Sequence, residues 1–296
     1  MADPEAEPAA PAPSGNGRLQ AGNVLAKFAW GLCSDPGPTR EHNEDYADVH
    51  TSDAPDDTWE RGPLFAVADG MGGHAAGEVA SRIAVESLLA AWVSASQGPA
   101  QPALRSAARA ANTAVVDAAF DPARRSMGTT LTAGVLSGNE FIVGHVGDSR
   151  AYLVRAGQCT QLTNDHSRVA EMVRMKMITA EQAATHPARS QLTRSLGGEP
   201  MVQVDLVRHD SRKDDVFVLC SDGLWDVISM AALAEEARLL VQGEVGTPLA
   251  TAERLVQSAI DQDAADNVTA VVVHVTTDQP IPPANVRRSL FRRNRT

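Results

Sequence analysis

Four aspartates of the 296-residue chain stand where apolar runs end or begin. In LFAVADGMGGHAAGE, residues 64–78, Asp69 closes such a run and a glycine follows; DVFVLCSDGLWDVIS, residues 215–229, repeats the step at Asp222. FIVGHVGDSR, residues 141–150, drives a third run into Asp148, and in DQDAADNVTAVVVHV, residues 261–275, Asp266 precedes the run with Asn267 behind it. Each step taken alone is an ordinary turn. Strands lying side by side would bring all four ends to one rim, where carboxylates in a low dielectric repel one another and raise each other's pKa unless a cation intervenes. Oxygen-only ligands suit hard, octahedral ions such as Mg2+ or Mn2+ rather than zinc. The glycines after Asp69 and Asp222 let the backbone turn sharply, and a backbone carbonyl at such a turn can itself join a coordination shell.

A second group lies in DPGPTREHNEDY, residues 35–46, with Asp35, Arg40, Glu44 and Asp45. A lone charged run is usually a solvated loop. Here adjacent acids that can organise metal-bound water stand beside a guanidinium whose planar fork grips phosphate oxygens. Acids for metal and arginine for phosphate form a phosphoryl-transfer combination. The chain contains no GxxxxGK[ST] loop, no GxSxG elbow and no Cys-x5-Arg loop, which removes P-loop, α/β-hydrolase and cysteine-phosphatase chemistry. His42, His74, His145, His166 and His186 are scattered without HExxH spacing and read as surface or packing residues. Cys220 falls inside an apolar run and reads as core.

The elements that must carry these groups are a mixture of strands and helices. Val-, Leu- and Thr-rich runs predict strands at 27–34, 63–69, 129–137, 140–147, 150–157, 201–209, 215–222 and 267–275. Gly138 and Asn139 predict a tight hairpin between two of them. Helical spacing of apolar residues predicts helices over 77–94, 103–120 and 167–177, with two later ones starting at Ser229 and Thr247. Thr247 before Pro248 is an N-cap followed by a first-turn proline. Strands cluster, with helices between the clusters, so the expected class is α+β, a sandwich rather than strict βαβ alternation.

Bulk composition narrows the function. A chain of 296 residues that is 43% hydrophobic can bury a large core. The net charge of −11 makes a general nucleic-acid binder an unlikely reading, since phosphate backbones reward a basic face. Three distant cysteines form neither a disulfide framework nor a thiolate zinc site, and point to a reducing compartment, hence the cytoplasm. The opening MADPEAEPAAPAPSGNG lacks the basic and apolar regions of a signal peptide, and no apolar run is long enough for a membrane span. Residues 1–22 are expected to be a disordered Pro/Ala-rich arm, 23–277 the folded domain, and 278–296 a disordered Arg-rich tail that could serve as a docking segment.

Eight blocks in order, among them DPGPTREHNEDY, LFAVADGMGGHAAGEVAS, MGTTLTAGVL, VGHVGDSRAYLVR, LTNDHS and DNVTAVVV, resemble the bacterial metal-dependent protein phosphatases of the PPM family, the type 2C serine/threonine phosphatases. The resemblance spans about residues 27–275. It implies a four-layer α-β-β-α sandwich whose two central, mainly antiparallel sheets are flanked by helices. It implies hydrolysis of phosphoserine and phosphothreonine by a water activated between two Mn2+ or Mg2+ ions, in a monomer opposing bacterial Ser/Thr kinases. By position, Asp69 would bridge the two ions, the Gly70 carbonyl would bind one, and Asp222 with Asp266 would complete the other. Glu44 and Asp45 would hold metal-bound water or ligate directly, Arg40 would bind the substrate phosphate, and Asp148 would contribute to a third, weaker ion. Thr129 and Thr130 match a block that packs near the site. Residues 167–194 correspond to a mobile flap. Two positions depart from the family pattern. Met71 stands where animal members have a histidine proposed as general acid, leaving metal-bound water as the proton donor, and Lys176 stands in the flap where relatives often have glycine. The alternative function is an inactive phosphatase-like regulatory or binding module.

Overall fold

A strand that is apolar on both faces needs a layer on each side, and the central runs of this chain are of that kind. The computed structural model describes residues 18–25, 27–51, 61–72, 76–95 and 98–279. Its strands are β1 (Leu19–Val24), β2 (Phe28–Asp35), β3 (Asp45–His50), β4 (Leu64–Met71), β5 (Gly128–Thr129), β6 (Leu131–Ser137), β7 (Glu140–Val146), β8 (Arg150–Arg155), β9 (Gln158–Gln161), β10 (Asp205–Asp210), β11 (Val216–Cys220) and β12 (Val268–Val275). They form two sheets in the orders β1-β2-β12-β11-β8-β9 and β10-β7-β6-β4-β3, with β5 beside β4, and every pairing is antiparallel.

Helices α1 (Ala76–Ser94) and α2 (Ala100–Ala118) cover the second sheet. Two short helices, α3 (Arg168–Arg174) and α4 (Ala180–Ala184), lie in the long connection after β9, and a single turn, α5 (Asp222–Trp225), follows β11. Helices α6 (Met230–Val241) and α7 (Pro248–Asp261) cover the first sheet. Alternation along the strands divides the core into three layers. From β4, Leu64, Ala66 and Ala68 face α1 and α2, while Phe65 and Val67 face the other sheet. From β12, Val271 and Val273 face the inter-sheet layer, and Ala270 and Val272 meet α6 and α7. The result is the expected four-layer α-β-β-α sandwich.

Local chemistry accounts for the element ends. Ser229 and Thr247 accept hydrogen bonds from Ala232 N and Ala250 N, capping α6 and α7 where the sequence places them. A Cβ on Gly31 would lie 2.1 Å from Leu249 N, so only glycine lets α7 start against β2. Helix α2 begins at Ala100, ahead of the expected 103, because Pro99 occupies its N-cap without a side-chain hydrogen bond and leaves no capping signal. Helix α1 has no basic residue in its last turn; the buried Arg61 supplies one from outside, donating to the carbonyls of Trp92, at 2.8 Å, and Ala95. The hairpin at Gly138 is present, with φ +61° at the glycine and Ser137 opposite Glu140.

Three strands, β1, β3 and β9, are not predicted. They are edge or near-edge strands held by backbone pairing, and LQAGNV, DYADVH and QCTQ carry no apolar run. The arm expected to reach residue 22 therefore runs into β1, which starts at Leu19. Residues 1–17 and 280–296, the rest of the expected arm and nearly all of the tail, lie outside the described residues. No helix among the described residues is long and apolar enough to cross a membrane.

Candidate metal centre and active site

The acids come from both sheets. In the second sheet, the pairing of β3 with β4 sets Asp45 directly opposite Asp69. Asp69 is fixed through its backbone: its N–H donates to Thr130 Oγ1 at 2.9 Å, and its carbonyl accepts from Thr130 N at 2.9 Å and Thr129 Oγ1 at 2.8 Å. The two threonines thus act by positioning, as expected. Gly70 N donates to the Glu44 carbonyl at 3.0 Å, and a Cβ on Gly70 would meet the Gly77 carbonyl oxygen at 2.0 Å. A Cβ on Gly77 would in turn press to 2.7 Å from the Glu44 carboxyl carbon, so the glycines admit that carboxylate to the rim.

From the first sheet, Asp222 opens α5 beyond β11, Asp266 precedes β12 and Asp148 lies in the loop before β8. Asp45 joins the two sheets here: its Oδ2 accepts from Ser221 Oγ at 2.6 Å and Thr269 Oγ1 at 2.7 Å. Asn267 pins the Arg40–Glu44 segment, accepting from Glu44 N at 2.8 Å and donating to the carbonyls of Pro36 and His42. The Asp148 loop is tied to its neighbours through Ser149 Oγ, 2.7 Å from Thr130 Oγ1, and through Trp225 Nε1, which donates to the Asp148 carbonyl at 3.0 Å. Arg150 stacks over the Trp225 ring at 3.5 Å while it grips Asp165, bracing the indole.

The electrostatics record the convergence. Burial pushes the Asp69 carboxyl well above the usual carboxylate range, and the charges of Asp222, Asp45, Asp148 and Asp266 push it further. Asp45 is pushed up to about 8, first by burial and then by Asp222 and Asp266, against the opposing hydrogen bonds of Ser221 and Thr269. Asp148 rises to about 7 through burial, Asp222 and Asp165, and Asp222 rises to about 6 through burial, Asp266 and Asp226. Burial raises Glu44 as well. Such a group of buried acids is costly unless protonated or neutralised by a cation.

The donor set fits a hard divalent ion. Asp222 Oδ1 is buried without a hydrogen-bond partner, an orphaned anionic acceptor at the centre of the rim. Among the described residues no three side chains already close on one point as a cage. Mg2+ and similar ions keep several waters and need only one or two carboxylates each, so a line of acids serves where a cage is absent. Arg40 donates to Asp266 Oδ2 at 2.6 Å, occupying one of those acids with the only side-chain cation bonded to it among the described residues.

Of the residues singled out from the sequence, Asp69, Asp222, Asp266, Asp148, Asp45, Glu44, Gly70 and Arg40 all lie at this rim. Asp35 does not take part; it pairs with Arg18 at 2.6 Å and accepts from Gly37 N, closing a turn. The sequence reading assigned no role to Ser221, Thr269 or Trp225, and noted Asn267 only for its place after Asp266. His145 and His166, read as surface or packing residues, are buried beneath the Asp148 loop with ring centroids 4.7 Å apart.

Two antiparallel sheets between helices, with unpaired acids gathered at one rim, define a cation-requiring α-β-β-α sandwich. The protein phosphatase 2C family profile matches residues 41–268, and the chain belongs to that family. It is 38% identical over 245 residues to serine/threonine protein phosphatase PstP of Mycobacterium tuberculosis, aligning 82% of this chain with 44% of that protein. It thus spans less than half the length of that relative. It is 34% identical over 251 residues to protein phosphatase PhpP of Streptococcus pneumoniae, aligning 83% of this chain with 97% of that one. The solved catalytic domain of PstP in complex with two manganese ions superposes with a TM-score of 0.71 at 34% identity, covering 84% of this chain and 99% of that domain.

Proposed function

We propose that this chain is a metal-dependent protein serine/threonine phosphatase that hydrolyses phosphoserine and phosphothreonine in proteins. The observation that carries the reading is the convergence of carboxylates whose mutual repulsion and desolvation raise Asp69 and Asp222, around the orphaned Asp222 Oδ1. Asp69, the Gly70 carbonyl, Asp222 and Asp266 would hold two Mn2+ or Mg2+ ions, with Glu44 and Asp45 contributing and Asp148 serving a weaker third. When bound, such ions supply Lewis acidity and lower the pKa of water. Ser221 and Thr269 hold Asp45 in one orientation, and Thr129 and Thr130 hold Asp69, so the acids are positioned before any ion arrives. Arg40, which pairs with Asp266 at 2.6 Å, would bind the substrate phosphate and stabilise charge on its equatorial oxygens.

The relatives' names support the substrate class, phosphorylated proteins; Ser/Thr kinases as partners are proposed from the family resemblance, and a cytoplasmic location from the three distant cysteines. The Arg-rich segment 278–296 is proposed as a docking segment on its charge alone. An inactive module is disfavoured because Asp69, Asp222 and Asp266 are all present at the rim. Mn2+-dependent phosphate release from a phosphothreonine peptide is expected for the wild type and lost in Asp222→Asn; equal rates in the two proteins would overturn the reading.

A further inference from the structure

Residue His166 makes two bonds with one glycine. Its backbone N–H donates to the Gly147 carbonyl at 2.7 Å, and its ring Nδ1 accepts from Gly147 N–H at 3.0 Å. Gly147 has φ +109°, and a Cβ there would lie 2.6 Å from Thr130 Cβ, so the backbone before Asp148 has little room. With Nδ1 accepting, the ring proton sits on Nε2 and donates to Asp205 Oδ2, 3.1 Å away. Arg194 Nη1 bonds the other oxygen of Asp205 at 2.7 Å and lies 3.0 Å from His166 Nε2, so that ring nitrogen meets the Asp205 carboxylate and the Arg194 guanidinium together.

The same residue closes the base of the long excursion that contains α3 and α4. Thr193 N donates to the His166 carbonyl at 2.8 Å, Ser167 bridges Leu192, and Arg168 N donates to the Gln191 carbonyl. His166 is therefore bonded at once to the Asp148 loop, to both ends of the excursion and, through Asp205, to the start of β10. His145 packs against its ring and is itself held by Thr132 Oγ1 and the Asn164 carbonyl, so the imidazole has no freedom to turn.

We infer that His166 is a positioning residue that couples the base of the 168–191 excursion to the loop presenting Asp148, acting through the Nδ1 bond to Gly147. Its side-chain hydrogen bonds go to Gly147, Asp205 and Arg194 and to none of the rim acids. The inference rests on the reading of Asp148 as a metal-site acid. A rearrangement of the excursion that shifts residues 191–193 is felt at Gly147, and the aim of the Asp148 carboxylate follows.

Two substitutions separate the two ring nitrogens. In His166→Asn the side-chain oxygen falls near the place of Nδ1 and keeps an acceptor for Gly147 N–H; in His166→Gln the amide nitrogen falls near the place of Nε2 and keeps only the donor to Asp205. Mn2+ binding is measured by calorimetry on the full chain, with thermal stability and peptide dephosphorylation in parallel. The weakest Mn2+ step is expected to lose about tenfold or more in His166→Gln and to stay within about twofold of wild type in His166→Asn, a loss typical of residues that orient metal ligands. The two variants should melt at similar temperatures. Equal Mn2+ losses in both, tracking stability, would reduce His166 to packing, and wild-type binding in both would also overturn the coupling. Asp148→Asn is the control: if it leaves every Mn2+ step unchanged, the reading of Asp148 falls and takes the coupling with it. If Asp148→Asn removes a step that His166→Gln leaves intact, only the coupling falls.

Discussion

Strand β11 is flanked by two aspartates, one buried and one half-buried, with opposite fates. Asp215, at its start, accepts two hydrogen bonds from Arg155 at 2.7 Å each and a third from Arg212 N at 2.7 Å. Asp222, just past its end, keeps a buried oxygen with no partner and faces Asp69 and Asp266. The end with the paired aspartate borders a cleft of about 560 Å3 between β8, β11 and α6, which is lined by none of the rim acids and whose central charge is already neutralised. Cavity size therefore does not locate the chemistry in this molecule. A charge that folding has compensated is structural, and one left uncompensated marks the place reserved for a cation.

The sharpest way to break that contrast is to neutralise each aspartate in turn. Asp222→Asn should lower the Mn2+-dependent kcat/KM by on the order of a thousandfold, the several kcal/mol a metal site supplies. Its metal-free form should melt no lower than wild type, because a repulsive buried charge is gone. Asp215→Asn should behave oppositely, losing about 3 kcal/mol in denaturant unfolding, the low end for a broken pair because Arg155 is about a third exposed. Its activity per folded molecule should be unchanged. Matching phenotypes for the two variants would remove the distinction between the ends.

Metal should next separate them. A carboxyl such as Asp45, held at about 8, or Asp148, at about 7, stays protonated in the folded protein where its unfolded counterpart is ionised. The folded state then binds more protons, so raising the pH through this range removes stability. Melting of metal-free protein should therefore fall from pH 6 to pH 8, by up to about 1.4 kcal/mol per pH unit for each group titrating. Asp45→Asn should flatten the slope. At pH 8, Mn2+ at a hundred times its dissociation constant should restore about 2.7 kcal/mol, measured by thermal shift. A flat pH profile without metal would mean that the rim acids are not crowded.

The smallest effect lies away from both ends. Lys176 has φ +56° just past α3, where its N–H donates to the Val173 carbonyl and Met177 N donates to Met172, each at 2.9 Å. This is a Schellman cap with lysine in the position that favours glycine. Lys176→Gly should stabilise the protein by about 0.5–1 kcal/mol, the left-handed penalty less the added freedom of the unfolded chain, and should slow proteolysis within 168–191. A loss of stability would show that the lysine side chain contributes more than its backbone costs.

The long apolar strands, the caps at Ser229 and Thr247 and the hairpin at Gly138 were legible because each signal is local: a buried run, a side-chain acceptor or a residue free to take positive φ. The edge strands β1, β3 and β9 were not legible, since each sends only one or a few small or isolated apolar residues to the core, such as Ala47 and Cys159, and shows no apolar run. The acids were legible as strand ends, but the groups that support them were not. Ser221 and Asp45 are 176 residues apart, and Thr269 and Asp45 are 224 apart, so no window of sequence contains the pair. His166 is buried and packed, one of the two roles its sequence context allows, but its bond to Gly147 was not legible: the two are 19 residues apart across a hairpin, and an isolated histidine shows neither its burial nor its tautomer.

The sequence by itself determined that Asp69, Asp148, Asp222 and Asp266 would stand at strand ends, because alternation and turn chemistry act over a few residues. Tertiary structure decided which buried acids meet a cation of the protein and which meet only one another. Arg155 reaches Asp215 and Arg40 reaches Asp266, while Asp222 Oδ1 is left without a partner. That decision depends on distances between elements remote in the chain, and charge compensation falls off too steeply with distance to be read from order alone.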